Sequence, residues 1–262
     1  MPIHLHPTAS LAKRVLLPGD PGRALLLAQT LLDPRSMFNH NRGLWGYTGI
    51  ASDGRPLTIQ STGMGGPSVA IVVAELADLG AERLLRVGTC GALDPRLALG
   101  ELLVATEVLP EDGTTRALGA PRPLCADPDL ARALSGAGAD RTQAGTVVST
   151  DLFYDNDEGS ERRWTAAGAR AVEMETAALF ALAQRRGLQA ASLLLVTDRL
   201  VEGNRTRISD DDLRAGEVRL GEVAMAALAI VETPESDERS GEADAPAHSR
   251  QRWARRAARP TS

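Results

Sequence analysis

Five short segments hold the residues of this chain best suited to chemistry: PGDPGR (18–23), STGMGGPS (61–68), RVGTCGA (86–92), AVEMETA (171–177) and LLLVTDR (193–199). Each places glycine or polar residues at the C-terminal end of an apolar run, the edge at which open α/β sheets hold ligands. In PGDPGR, Gly19 can bring its N–H close to an anion, and Arg23 begins a helix behind the turn. In RVGTCGA, Arg86 precedes Thr89, whose hydroxyl and N–H can both donate. Arginines, a hydroxyl and exposed amides suit a tetrahedral oxyanion such as phosphate. Alone, PGDPGR reads as well as an ordinary turn; RVGTCGA tips the reading towards an anion. GxxxxGKS/T is absent and no GxGxxG opens a helix, which disfavours nucleoside triphosphate chemistry.

In AVEMETA, Glu173 and Glu175 flank Met174 where a short apolar stretch turns into a helix. A carboxylate there can accept hydrogen bonds from two vicinal hydroxyls, as on a ribose. It can equally be the acidic residue that favours a helix N-terminus, and the pattern does not separate the two. Asp198 ends a buried-looking run, where it can be an N-cap or a general acid. An anion pocket, a sugar clamp and an acid together suit chemistry on a sugar that bears a leaving group.

The elements that must position these residues follow from periodicity. Short β-type runs occur at RVLLP, PLTIQST, RLLRVGT, ELLVATEVL, AGTVVST and AASLLLVT. Between them lie helical patterns, the clearest being PSVAIVVAELADLG, with Pro67 in its first turn, Gly80 at its stop and Val69, Val72, Val73 and Leu76 on one face. METAALFALAQRRG is a second, closed by Arg185, Arg186 and Gly187. This alternation predicts a single-domain α/β fold, a mixed β-sheet flanked by helices, over residues 1–232. Residues 233–262 have almost no large apolar side chain besides Trp253 and read as a disordered tail, acidic first and basic last. Its RQRWARRAAR end is the one stretch that could touch an anionic surface or nucleic acid; solvated disorder is the preferred reading.

With 262 residues, 43% of them hydrophobic, the chain can bury one sizeable core. A net charge of −5 gives no general pull towards nucleic acid or membrane, so neither is expected as a partner. Lys13 is the only lysine, so individual arginines gain meaning only from local context. The two cysteines, Cys90 and Cys125, form no CxxC pair, and the four histidines are not spaced as ligands. No signal-peptide pattern and no run near the length of a membrane span is evident, so a soluble cytoplasmic protein is expected.

The motifs PGDPGR, NRGLWGYTG, STGMGGPS, RVGTCGA, STDLFY and AVEMETAALF, in this order, resemble the nucleoside phosphorylase family, and within it the bacterial hexameric purine type. The resemblance covers about residues 3–230. It implies a phosphate site of Gly19, Arg23, Arg86 and Thr89, joined by Arg42 reaching over from a neighbouring subunit. It implies a ribose site of Met64, Met174 and Glu175, with His4 lent by the neighbour and His6 its rival. Cys90, Gly91, Phe153, Val172 and Glu173 match the base pocket, and Asp198 the acid that faces purine N7. The implied reaction is phosphorolysis of purine nucleosides to free base and ribose 1-phosphate. Inorganic phosphate is the co-substrate and no metal or organic cofactor is called for. The resemblance also implies a homo-oligomer with shared sites, a hexamer built as a trimer of dimers.

One departure stands out. Relatives support the acid with an arginine about a dozen residues further on, whereas Asp211 lies thirteen beyond Asp198. Arg205, Arg207 and Arg214 are the nearby candidates. Uridine phosphorylases read the pyrimidine with a glutamine and an arginine where this chain has Asp157 and Gly159. Those residues cannot supply the same amide and guanidinium donors, so purine is preferred and uridine cleavage is kept as the alternative within the family. A nucleosidase would gain nothing from arginines converging on an anion, and a nucleoside-binding protein would not need acid and anion site together.

Overall fold

The first strand, β1 (Arg14–Leu17), is buried along its whole length and breaks at Pro18 into helix α1 (Pro21–Leu31). Asp20 caps that helix, its carboxylate accepting the N–H groups of Gly22 and Arg23, and Pro21 supplies the preset φ of a first turn. The chain continues through β2 (Arg35–Asn39), a 3-10 turn (Asn41–Gly43), β3 (Gly46–Ile50), β4 (Pro56–Gln60), α2 (Gly66–Asp78), β5 (Arg83–Ala92) and β6 (Leu102–Pro110). Next come α3 (Gly113–Leu118), β7 (Leu124–Cys125), α4 (Pro128–Gly138), β8 (Thr142–Ser149), α5 (Glu158–Ala166) and β9 (Ala171–Glu173). It ends with α6 (Thr176–Arg186), β10 (Gln189–Val201), β11 (Asn204–Arg207) and α7 (Asp210–Ile230). This computed structural model describes residues 2–120, 122–138, 142–154, 158–201 and 204–231. The expected tail, 233–262, lies outside the described residues.

All six β-type runs read from the sequence form strands, and both singled-out helical patterns form helices. The strands are mixed in direction and join one sheet. Part of that sheet closes on itself: β10 pairs with β6, β6 with β8, β8 with β9, β9 with β5, and β5 again with β10. From β5 the sheet runs outwards through β1, β4, β3 and β2. The closure is not readable from periodicity, because it rests on β9, three residues long, which pairs only where its neighbours bring it.

Helices cover both faces. On one, Val69, Val72, Val73 and Leu76 of α2 pack with Leu179 and Phe180 of α6. On the other, Leu27 of α1, Leu134 of α4 and Leu220 and Leu228 of α7 share a second core. Each such side chain fully buried contributes about 1.5–3 kcal/mol. Gly187 closes α6 in the left-handed region at φ 67, as its place after Arg185 and Arg186 predicts. No helix among the described residues is long and apolar enough to cross a membrane.

Candidate active site

The C-terminal ends of β5, β9 and β10 converge with the β1–α1 turn and the 61–65 loop on a cavity of about 490 Å3. Of the candidate residues from the sequence, all line it except His4, its rival His6, Arg42, and Arg207 and Arg214 among the possible partners of the acid. The strand ends leave their last peptide groups unpaired, so a ligand site forms where several of them meet.

The anion candidates come from the β1–α1 turn, α1 and β5. The β1–α1 turn is hooked onto the 61–65 loop: Thr62 N–H donates to Pro18 O at 2.9 Å and Gly63 N–H to Gly19 O at 3.0 Å. A Cβ on Gly19 would stand 3.2 Å from Gly63 O, closer than an ordinary contact, so a side chain here would push on the 61–65 loop. Arg23 does not swing free. Its Nε donates to Glu217 Oε1 of α7 at 2.7 Å and its Nη1 to Val87 O at 3.4 Å. Arg86 lies buried, with Nε donating to Glu173 Oε2 at 3.0 Å and Nη2 2.5 Å from Glu175 Oε2. Its guanidinium folds over its own strand, where a Cβ on Gly88 would be 2.6 Å from Cζ. Thr89 follows, half-buried at the cavity wall.

The two glutamates differ. Glu175 Oε1 accepts Gly65 N–H at 2.5 Å, and its other oxygen meets Arg86. Burial pushes its carboxyl above the usual range, although the Arg86 charge pulls the other way. Glu173 is committed to the protein itself. Its carboxylate accepts the N–H of Glu175 at 3.0 Å, the N–H of Thr176 at 2.9 Å and the hydroxyl of Ser149. It therefore caps α6 and holds Arg86, which leaves Glu175 as the candidate for the sugar hydroxyls. Met64 and Met174 line the same region, Met64 well exposed at 85%.

Another part of the lining is the base candidate. Cys90, Gly91 and Val172 form its wall, and burial pushes the Cys90 thiol far above the usual thiol range, so it is an inert surface. Phe153 is half-exposed, packs edge-on against Tyr154 at 5.0 Å and carries the Arg205 guanidinium over its ring at 5.0 Å. Asp198 is neither an N-cap nor a strand end. In the pairing of β10 with β5, Val196 opposes Cys90 and Asp198 opposes Gly91, which leaves Thr197 as an extra residue. Such a bulge re-aims the next side chain. Asp198 is buried and accepts from Thr197 Oγ1 at 3.0 Å and Arg205 Nε at 3.3 Å; Arg207 Nη1 is 3.8 Å away. Of the candidate partners for the acid, Arg205 and Arg207 on β11 reach it; Arg214 lies exposed on α7.

His4 and Arg42 lie outside this cavity. Glu75 of α2 accepts the backbone N–H groups of Ile3, His4 and Leu5 at 2.7–3.0 Å, and His4 Nδ1 lies 2.8 Å from it. The outer ring nitrogen, Nε2, is thereby turned away from Glu75. His6 instead contacts Ile3 O at 3.2 Å. Arg42 is exposed and is the one non-glycine residue with positive φ among the described residues, at 58°. Such strain tends to persist where a side chain must be held for use. Asp157 lies outside the described residues.

Glu217, Gly88, Ser149 and Glu75 were not anticipated. Gly88 carried a usable signal, a glycine two residues after a buried arginine on one strand. Glu217 carried none, standing 194 residues from Arg23 within a plain helical pattern.

A family model described as the phosphorylase superfamily matches residues 13–233. The chain is 37% identical over 217 residues to a DeoD-type purine nucleoside phosphorylase of Geobacillus kaustophilus, covering 80% of this chain and 91% of that one. It is 39% identical over 201 residues to a guanosine phosphorylase of Halorubrum lacusprofundi, covering 75% and 83%. Among solved structures, the uridine phosphorylase of Vibrio fischeri in complex with 6-hydroxy-1-naphthoic acid superposes with a TM-score of 0.74. It is 30% identical and aligned over 84% of this chain and 92% of that chain. The fold, the converging strand ends and these likenesses agree, and the chain belongs to the phosphorylase superfamily.

Proposed function

We propose that this protein is a purine nucleoside phosphorylase, converting a purine ribo- or 2′-deoxyribonucleoside and inorganic phosphate into free base and the sugar 1-phosphate. The observation that carries the reading is one cavity lined together by buried Arg23 and Arg86, by Glu175 and by Asp198. The names of the DeoD-type relatives favour purines; the uridine phosphorylase neighbour supplies the alternative base.

In this reading phosphate sits among Gly19, Arg23, Arg86 and Thr89, held by charge-assisted hydrogen bonds. Arg42 and His4 complete the site of a neighbouring copy, so the active unit is an oligomer, a hexamer by resemblance, working in the cytoplasm. Glu175 accepts from the ribose 2′ and 3′ hydroxyls. Each carboxylate oxygen has two lone pairs, so it can do this without leaving Gly65 or Arg86. The base lies against Phe153 between Cys90, Gly91 and Val172.

As the bond from C1′ to the base stretches, positive charge develops on the sugar and the fixed phosphate anion stabilises it. A phosphate oxygen then bonds to C1′, and the electron pair of the broken bond leaves with the purine. Asp198 gives that purine a proton, at N7. The reaction balances with nucleoside and phosphate alone and needs no further cofactor. The test is base release from inosine, guanosine, adenosine and uridine with and without phosphate. Phosphate-dependent release of purines with sugar 1-phosphate as product is expected. Release without phosphate would mean hydrolysis, and release from uridine alone would select the alternative base.

A further inference from the structure

The relation of Arg205 to the cavity goes further than the support of an acid. Arg207 opposes Asp198 across the β10–β11 pair and Arg205 opposes Leu200, so these four side chains share one face. Arg205 and Leu200 line the cavity, whereas Arg207 stands outside its lining. The Arg205 guanidinium is fixed by two contacts of different kinds, its Nε edge on Asp198 at 3.3 Å and its flat face over Phe153 at 5.0 Å. Among the described residues no hydrogen bond engages its Nη1 or Nη2. A guanidinium has no acceptor, so those nitrogens can only donate.

In a purine, N7 and the substituent on C6 lie on the same edge. A base whose N7 faces Asp198 therefore brings its C6 substituent near the two side chains that bond Asp198 and line the cavity, Thr197 and Arg205. The Thr197 hydroxyl is already engaged with Asp198 and Cys90 O, which leaves Arg205 as the donor. We propose that Arg205 reads that substituent and makes 6-oxopurine nucleosides the preferred substrates over 6-aminopurine nucleosides; the proposal rests on the purine phosphorylase reading above. A 6-oxo group accepts from the free Nη donors, as guanine does from arginine in a DNA groove. A 6-amino group presents its own N–H donors to a cation and leaves both sides unpaired. The contact also strengthens during reaction, because negative charge on a departing 6-oxopurine spreads onto O6.

The test compares kcat/KM for inosine, adenosine and purine riboside, which carries only hydrogen at C6. The wild-type enzyme, Arg205→Ala and Arg207→Ala are used. The wild type should prefer inosine over adenosine by about tenfold or more, the worth of a hydrogen bond from a charged donor. Arg205→Ala should lower inosine turnover by about ten- to a hundredfold more than that of purine riboside, and collapse the preference. Arg207→Ala should leave the preference in place. A purely structural role for Arg205 would lower all three substrates equally, and that result, or an unchanged ratio, overturns the proposal. Calorimetric binding of hypoxanthine and adenine to the same proteins needs no turnover. If no nucleoside is cleaved but Arg205→Ala erases tighter hypoxanthine binding, the phosphorylase reading and the substrate preference fail, and only the recognition of the C6 substituent by Arg205 stands.

Discussion

Arg86 can fold back over β5 because Gly88, on the same face two residues later, has no side chain. Adding a methyl by Gly88→Ala puts a carbon 2.6 Å from the guanidinium carbon, so Arg86 must shift, which is expected to disturb its contacts with Glu173 and Glu175. The expected result is a phosphate KM raised by about ten- to a hundredfold, the loss of a charged hydrogen bond, with kcat less affected. Steady-state titration of phosphate at saturating inosine measures it; an unchanged KM would separate Arg86 from the anion. Asp198→Asn removes the proton donor while keeping the shape. It should lower kcat by about 10²–10⁴-fold for natural purine nucleosides. Nucleosides whose base departs without protonation should lose least, and equal losses would remove the acid role.

The elements gain their precision from a few carboxylates that tie them together. Glu217 fastens α7 to Arg23, Glu173 fastens α6 to Arg86, and Glu75 fastens the N-terminal segment to α2. Burial alone would raise the Glu75 carboxyl, but the N–H groups of residues 3–5 and the His4 ring hold it down to about 2 from 4.5. A carboxyl held below its unfolded value stabilises the fold above about pH 4.5, and that contribution drains away as pH falls through about 2. The amides of Ile3, His4 and Leu5 should therefore lose exchange protection across that window before the central strands do. Glu75→Gln should make their protection low and independent of pH; hydrogen exchange read residue by residue decides it. Protection unchanged in the variant would mean that Glu75 does not hold the segment.

Considered as a whole, the molecule has a cavity whose lining does not include its own His4 and Arg42, and the proposed sharing of sites between copies can be tested on that point. Arg42→Ala and Asp198→Asn each spoil every site in a pure oligomer. In a mixed oligomer the Arg42→Ala chain keeps its acid and can receive a sound Arg42 from its neighbour. Co-expressed chains purified as mixed oligomers should recover activity that neither variant has alone, with a wild-type phosphate KM in the recovered fraction. Absence of recovery in verified mixtures would confine Arg42 to its own chain or remove it from the site.

The sequence by itself determined the strands and helices whose burial is periodic. RLLRVGT and AASLLLVT are apolar runs bounded by polar residues, and PSVAIVVAELADLG puts its valines on one face, so local pattern and tertiary burial demand the same thing. It also marked most residues of the cavity, because glycines, arginines and carboxylates at strand ends are visible one segment at a time. Only the tertiary structure decided how they pair. Closure of the sheet through β9 brings Glu173 and Glu175 onto Arg86, a bulge at Thr197 aims Asp198, and β11 delivers Arg205 to it. These depend on distances between segments far apart in the chain, which composition and periodicity do not encode. Two glutamates one residue apart look alike in the sequence. Both line the cavity, but Glu173 is taken up by the N–H groups at the start of α6, whereas Glu175 accepts Gly65 N–H and is the one proposed to hold the sugar.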